Sequence, residues 1–463
     1  MFRPRGGREG RTAARTPGSH VRERQEAPFV VSLVEQWWDR LISAVFSGTL
    51  ADQTARYAAH RTKRDYLFNS IGLGLWGALF PLLTMIASQL VGTEQAGMFS
   101  MAFVYANLIQ FVGMYGVRTY QVSDVDEMDS FGAYQLQRLL SCLLMMGVGY
   151  LFCRVRGYSG EMLSICTGTF AFRTFDAFAD VYEGRLQQMD KLWLAGISQG
   201  LRCTLGVASF TLALVITRDV AIASIVMAVV ALASLLMVSI PLTYFETPRS
   251  RSWEFLEIRE IFAECFPTFL ATFLFSLIET VPKFAMEGTL PYDDQLFFNA
   301  IYFPAQAIAM ALGLVYKPQL VRLANIWADP NHRRRFDLVV IAIAGVGVGI
   351  CAVVFVFNSL FGVPILSVLY GTDFAPYRTD LLMMVVAGGM TAVVDFLYQI
   401  ITVLRRQEVA TRIYLLTFGI ATVLALVLVN TIGFAGAVWT YLLSMATLFV
   451  LLIAQYVVLR VKG

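Results

Sequence analysis

Four ionisable residues stand where an apolar helix is expected: Arg173, Asp176, Asp180 and Glu183, within GTFAFRTFDAFADVYEGRLQQ at residues 168–188. Their successive spacings of three, four and three put all of them on one helical face. Phe172, Phe175, Phe178 and Val181 take the remaining positions and suit lipid or a neighbouring helix. An ionisable side chain at bilayer depth costs roughly 2.5–3.5 kcal/mol on insertion scales, so such residues face one another or a wet cavity. Two roles fit. Arg173 can pair internally with Asp176 and Asp180 and lock helices together, or the face can line a polar pathway, and the two can coexist.

Other polar residues interrupt the apolar runs in the same way. Arg202 lies, like Arg173, near the middle of its run, with Gln199 one helical turn before it. Asp176 and Asp180 fall towards the inner leaflet. Asn69 sits near the inner end of the first run. Glu279 and Lys283 are four apart on one face, as are Asp395 and Gln399. Arg138, Lys317 and Arg322 lie near cytoplasmic ends, where snorkelling explains them. The planar fork of arginine matches phosphate and carboxylate groups. A cavity holding Arg173 and Arg202 therefore suits an anionic, hydroxylated substrate better than a hydrophobic cation.

Composition says what must position these groups. Of 463 residues 57% are hydrophobic and 15% charged, against about 25% charged in soluble domains, and mean hydropathy is +0.63. The chain is read as an all-α integral membrane protein, because apolar runs of about 20 residues without alternation select helices rather than a barrel. A net charge of +3 gives no reason to expect nucleic acid. The six cysteines lie in or beside apolar runs without CxxC spacing, so reduced buried thiols are expected, with no disulfide framework and no metal site. His20, His60 and His332 fall outside the runs, which excludes a histidine relay.

Residues 1–28 read as a disordered basic cytoplasmic arm, and residues 29–64 as an amphipathic interfacial helix with its linker. Spans follow at about 66–90, 95–120, 134–153, 161–183, 192–217 and 220–245, forming a first lobe over residues 65–245. After a polar linker at 246–258 come spans at about 259–289, 293–325, 336–358, 379–403, 411–430 and 433–459, forming a second lobe over 259–463. The count is about twelve spans in two pseudo-symmetric lobes of six, with a substrate path expected between them. Pro267, Pro282, Pro304 and Pro318 mark the start of the second lobe as a place to bend.

Arginine and lysine set the orientation. One series of loops holds Arg185, Lys191, Arg249, Arg251, Arg259, Arg333, Arg334, Arg335, Arg405, Arg406 and Arg412, and the C-terminus adds Arg460 and Lys462. The other series holds Arg154, Arg156, Arg218 and Arg378. Both termini are expected in the cytoplasm. The acidic loop at 123–130 dissents, but acids count little in this rule.

No phosphate-cradling GxxxxGK[ST] loop, zinc-protease helix or GxSxG elbow is present. No segment outside the spans is long enough for a glycosyltransferase domain, so a transporter is favoured over an enzyme. The stretches at 70–117, 173–196 (RTFDAFADVYEGRLQQMDKLWLAG), 279–304 (ETVPKFAMEGTLPYDDQLFFNAIYFP) and 361–377 (FGVPILSVLYGTDFAPY), in this order, resemble the polysaccharide-transporter branch of the multidrug/oligosaccharidyl-lipid/polysaccharide (MOP) exporter superfamily, which includes the Wzx-type flippases. Lys283 stands where arginine is more usual in that group.

The resemblance implies a MATE/MOP-like fold that moves undecaprenyl-diphosphate-linked oligosaccharide across the bacterial cytoplasmic membrane by ion-coupled alternating access, without a cofactor. It implies that Arg173, Arg202 and Lys283 contact the diphosphate or acidic sugars, with Asn69 and Gln199 beside them. Asp176, Asp180, Asp395 or Glu279 would exchange the coupling ion. A glycan polymerase or glycosyltransferases are the implied protein partners. The alternatives are a multidrug cation antiporter of the same superfamily, a lipid II flippase and, from another class, a membrane-embedded glycan polymerase or ligase. The topology has a direct test. A cysteine replacing Ser250 should resist an impermeant maleimide added to intact cells, and labelling from outside would invert the orientation.

Overall fold

The computed structural model describes residues 63–124, 129–248, 250, 255–328, 333–404 and 406–462. Of the two units into which the chain divides, Met1–Thr62 and Lys63–Gly463, all of these belong to the second. The expected arm, the interfacial helix, the centre of the acidic loop, Arg249, Arg251 and Arg405 lie outside the described residues. Those described are helical almost throughout and form no strand.

The helices are α1 (Lys63–Val91), α2 (Thr93–Met114), α3 (Val117–Ser123), α4 (Phe131–Arg156), α5 (Gly160–Gln188), α6 (Leu192–Thr217), α7 (Val220–Ser234) and α8 (Ile240–Glu246) in the first half. The second half holds α9 (Phe255–Met286), α10 (Tyr292–Tyr316), α11 (Leu320–Ala328), α12 (Arg333–Phe357), α13 (Val363–Tyr370), α14 (Arg378–Val403) and α15 (Gln407–Lys462). Ten helical stretches among the described residues are long and apolar enough to cross a membrane. Helix α5 is equally long at 29 residues but carries too much charge to qualify on composition. Helix α15 holds two crossings in 56 residues, because Gly433 leaves helical geometry at φ 61°, ψ −131°. Glycine alone reaches that region without a Cβ penalty. With α5 and the divided α15 the architecture is that of twelve spans.

The expected boundaries shift in three places, each for a local reason. The second span breaks at Tyr115 and Gly116, which take left-handed backbone (φ 50° and 67°) and start the separate α3. The eighth ends at Tyr316, where Pro318 offers no amide hydrogen, and α11 follows as its own short helix. The ninth runs on from α12 through a wide turn at Asn358–Gly362 into α13. By contrast α9 stays helical through Pro267 and Pro282, and α10 through Pro304.

The two halves repeat one packing scheme. Helix α1 packs on α6, α2 on α5 and α5 on α7; correspondingly α9 packs on α15, α10 on α14 and α14 on α15. The halves meet chiefly where α2 lies against α10 and α9. Ring contacts resolve the roles of the two segments of α15: Tyr414 lies 5.7 Å from Phe275 of α9, and Tyr441 5.3 Å from Tyr302 of α10. Large apolar side chains such as Leu143, Ile216, Val229, Leu360 and Val450 point outward, as a lipid-facing surface requires. All six cysteines are free thiols, five of them buried.

Helices α1 and α6 cross with their backbones almost touching. A Cβ on Gly196 would lie 2.4 Å from the Phe68 carbonyl oxygen, and one on Gly72 would lie 2.5 Å from the Gly196 oxygen. Small residues at such crossings let backbones approach and gain packing that lipid cannot supply. Gly196→Leu should therefore lower the melting temperature and the folded yield, since overpacking costs about 1–3 kcal/mol even where side chains can yield. Gly74→Leu should not, because open space surrounds that position. Equal effects of the two substitutions in a thermal-shift measurement would contradict the account of this crossing.

Candidate functional site

Helix α5 carries its charges into the interior of the first half, and each neighbouring helix answers them. Asp176 is 3% exposed and takes four hydrogen bonds and a further ion-pair contact. Arg173 Nη1 donates to its Oδ2 at 3.1 Å, Gln110 Nε2 at 2.9 Å and Trp76 Nε1 at 3.0 Å. Arg202 reaches Oδ1 through Nε at 2.9 Å and Nη2 at 2.8 Å. Glu183 accepts from Arg202 Nη1 at 2.6 Å and from Ser198 Oγ at 3.1 Å. Asp180 lies between Arg118 (2.6 Å) and Arg138 (3.0 Å). Thus α1, α2, α3, α4 and α6 each send a polar side chain to α5.

The charges in this network do not cancel. Arg118, Arg138, Arg173 and Arg202 face Asp176, Asp180 and Glu183, four cations against three anions. Arg202 lies centrally, bridging two carboxylates. Arg173 lies at the edge with one ion-pair partner, and its Nε makes no hydrogen bond. Aromatic faces complete its surroundings, with the guanidinium carbon 4.6 Å from the Phe103 ring centre and 5.3 Å from that of Trp76. Such contacts hold a cation without neutralising it.

Arg173 also lines a cavity of about 300 Å³ between the halves. The first half contributes Trp76, Phe80, Asn107 and Arg173; the second contributes Phe275, Glu279, Tyr302, Gln306, Thr391, Asp395 and Tyr441. Both carboxylates on the second wall rest on phenols: Tyr302 donates to Glu279 at 2.8 Å, and Tyr316 to Asp395 at 2.5 Å. Tyr441 exchanges a 2.8 Å hydrogen bond with Thr391. Among the described residues neither carboxylate has an ion-pair partner within 4 Å. The cavity thus has one cationic wall and one acidic wall, both set in aromatic rings.

Of the residues singled out in the sequence, Arg173, Glu279 and Asp395 meet at this cavity. The others stand elsewhere. Arg202, Asp176 and Asp180 belong to the ion-pair network and do not line the cavity, because each is enclosed by two ion-pair partners whereas Arg173 has one. Asp180 pairs with Arg118 and Arg138 rather than with Arg173. Lys283 is buried beside the cavity, its ammonium 4.5 Å from the Tyr302 ring centre. Asn69 lies at the α1–α6 crossing, where its Cα is 2.7 Å from a Cβ built on Gly196. Gln199, half-buried on α6, is not part of the lining. Trp76, Gln110, Arg118, Tyr302 and Tyr441 carry the site as well and were not singled out. Gln110 and Arg118 were legible as polar interruptions of an apolar run, whereas the tyrosines are hidden among 19.

The network predicts two opposite stability effects. Arg173→Gln leaves three cations against three anions, and Asp176 keeps Arg202, Trp76 and Gln110, so the melting temperature should hardly move. Arg202→Gln strips partners from Asp176 and Glu183 together and should cost about 3–5 kcal/mol. Similar losses from both substitutions in thermal unfolding would contradict the peripheral place of Arg173 in the network.

No protein-family model matches the sequence, and no curated protein matches it. Solved structures do. The chain is similar to an inward-facing multidrug resistance MATE family transporter of the MOP superfamily, with a TM-score of 0.62 at 14% identity over 83% of this chain and 94% of the other. It is similar to the lipid II flippase MurJ in an inward closed conformation, with a TM-score of 0.63 at 11% identity over 84% and 87%. A MOP superfamily transporter from Pyrococcus furiosus, described as having a binding pocket of reverse polarity, gives 0.57 at 15% over 86% and 95%. At these identities the likeness shows the architecture: the chain has the fold of the MOP-superfamily transporters.

Proposed function

We propose that the protein is an ion-coupled flippase that carries an undecaprenyl-diphosphate-linked oligosaccharide across the bacterial cytoplasmic membrane, with both termini in the cytoplasm. One observation carries this reading: the network on α5 has one more cation than anions, and one of its singly paired arginines, Arg173, sits on the wall of a cavity between the halves. An anionic head group entering the cavity would complete the charge balance that α5 leaves open. The fork of Arg173 suits a diphosphate. Glu279 and Asp395, held by phenols instead of cations, are the groups able to change protonation or bind a cation as the halves move. The helices of residues 65–245 and 259–463 are the two moving lobes, joined by the linker at 246–258. The lipid tail stays in the bilayer. A glycan polymerase or glycosyltransferases would supply or consume the substrate. The resemblance to MurJ, a lipid II flippase, supports a lipid-linked cargo.

A second reading has an observation of its own. Two carboxylates against one guanidinium leave the lining net acidic, which favours a cationic substrate exchanged for protons, as in a multidrug antiporter. A single assay separates the two. In proteoliposomes, Arg173→Lys keeps the charge and loses the two-pronged contact, worth about 1.5–3 kcal/mol for a bond to a charged group. Flipping of a short lipid-linked oligosaccharide should fall by roughly tenfold or more, with the protein still folded. Unchanged flipping in Arg173→Lys, or uptake of an organic cation that Glu279→Gln abolishes, would favour the antiporter.

A further inference from the structure

Away from the cavity, a second charged cluster joins the two halves, and it uses residues that the transport reading leaves without a role. Glu287 follows the last residue of α9, in the turn that leads to α10, and its side chain is 7% exposed. Three donors from the first half converge on it. Arg156, at the end of α4, reaches its carboxylate at 2.8 Å. The hydroxyl of Tyr158, in the α4–α5 turn, and that of Tyr105 on α2 donate to its two oxygens. Burial, with the Glu287 carboxylate beside it, holds the Tyr158 phenol above its ordinary range, so it remains a donor. Rings from both halves surround the cluster: Tyr105 stacks on Phe284 at 5.0 Å, and Arg156 lies 5.7 Å from the centre of that ring.

The same face of the molecule carries further polar bonds between the halves. Asn299 Nδ2 donates to Ser100 Oγ at 2.9 Å, Ser88 Oγ to the Tyr370 carbonyl at 2.8 Å, and Gln89 Nε2 to the Leu369 carbonyl at 2.6 Å. Those three are neutral bonds. At this face the Glu287 cluster supplies the ion pair, and charge-assisted bonds are roughly twice as strong as neutral ones; at the opposite face Ser130 Oγ donates to the Glu257 carboxylate at 3.1 Å. Its position also makes it reversible. Arg156 is 33% exposed at its side chain, so when the halves part, the carboxylate, the guanidinium and both phenols can bind water instead. The pairs that Arg138 and Arg202 make with α5 lack that alternative, since Arg138, Arg202 and Glu183 are fully enclosed.

We propose that Glu287 is a latch: it holds the two halves together at the face of the α4–α5 turn, and its release lets that face open. The inference rests on reading the protein as an alternating-access carrier, and its test needs no substrate. Spin labels on cysteines replacing Glu161 in the first half and Thr289 in the second, in a cysteine-free background, report the separation by pulsed electron–electron resonance in nanodiscs. Both positions are exposed on that face. The parent should give mainly short distances. Glu287→Ala should add a longer population, raising the open-to-closed ratio by roughly tenfold. Arg156→Gln combined with Tyr158→Phe should shift it in the same direction, and this variant decides the matter if Glu287→Ala fails to fold. Unchanged distances in whichever of these variants fold would overturn the latch. Because nothing is transported in this measurement, its failure leaves the substrate assignment untouched, and failure of flipping in Arg173→Lys says nothing about Glu287.

Discussion

The cost of leaving a charge unpaired inside a membrane-embedded bundle shapes the first half of this protein. Helix α5 brings one arginine and three acids into the bilayer, and five other helices supply donors to them. Buried ion pairs add little net stability, because desolvation consumes most of the Coulomb gain. What they enforce is position: moving α4 or α6 relative to α5 would strand a buried guanidinium and take a partner from its carboxylate. The first half is therefore held in one arrangement by requirements that cannot be relaxed one at a time, and one singly paired cation of the set, Arg173, is delivered to the cavity wall.

The second half solves the same problem by other means. Glu279 and Asp395 are satisfied by tyrosine hydroxyls, and Lys283 by an aromatic face. Neutral partners of this kind tolerate a change in charge, since a protonated carboxyl keeps a hydrogen bond to a phenol whereas it loses an ion pair. The division follows the chemistry that a coupled carrier needs. One wall has a fixed charge to hold a substrate, and the other has groups whose charge can change, with the cavity between them. At the seam the Glu287 cluster follows a third rule, a charged contact close enough to water to be made and broken.

Much of this was legible in the residues. Uninterrupted apolar runs of helical length gave the spans, and the interruptions at Arg173, Glu279 and Asp395 gave three groups that line the cavity. The sequence could not say which of two mid-depth arginines faces the lumen. Arg173 and Arg202 have the same type and nearly the same depth, and only packing shows that Arg202 is claimed by Asp176 and Glu183 at once. Helical periodicity placed Asp176 and Asp180 on one face, but their partners come from other helices, and contacts such as Arg118 to Asp180 depend on the left-handed turn at Tyr115 and Gly116. The phenols were invisible for a different reason: tyrosine is at home in lipid-facing, interfacial and interior positions, so its type says little about its place.

Binding separates the fixed-charge wall from the titratable one most directly. Trp76 lies against Arg173, and its fluorescence, isolated by replacing the other tryptophans with phenylalanine, offers a probe of the site. Titration with undecaprenyl diphosphate in detergent, at low and at raised salt, should change that signal in the parent and in Glu279→Gln and Asp395→Asn, and should lose the change in Arg173→Gln. A signal that survives in Arg173→Gln and disappears in the carboxylate variants would contradict the claim that Arg173 receives the substrate.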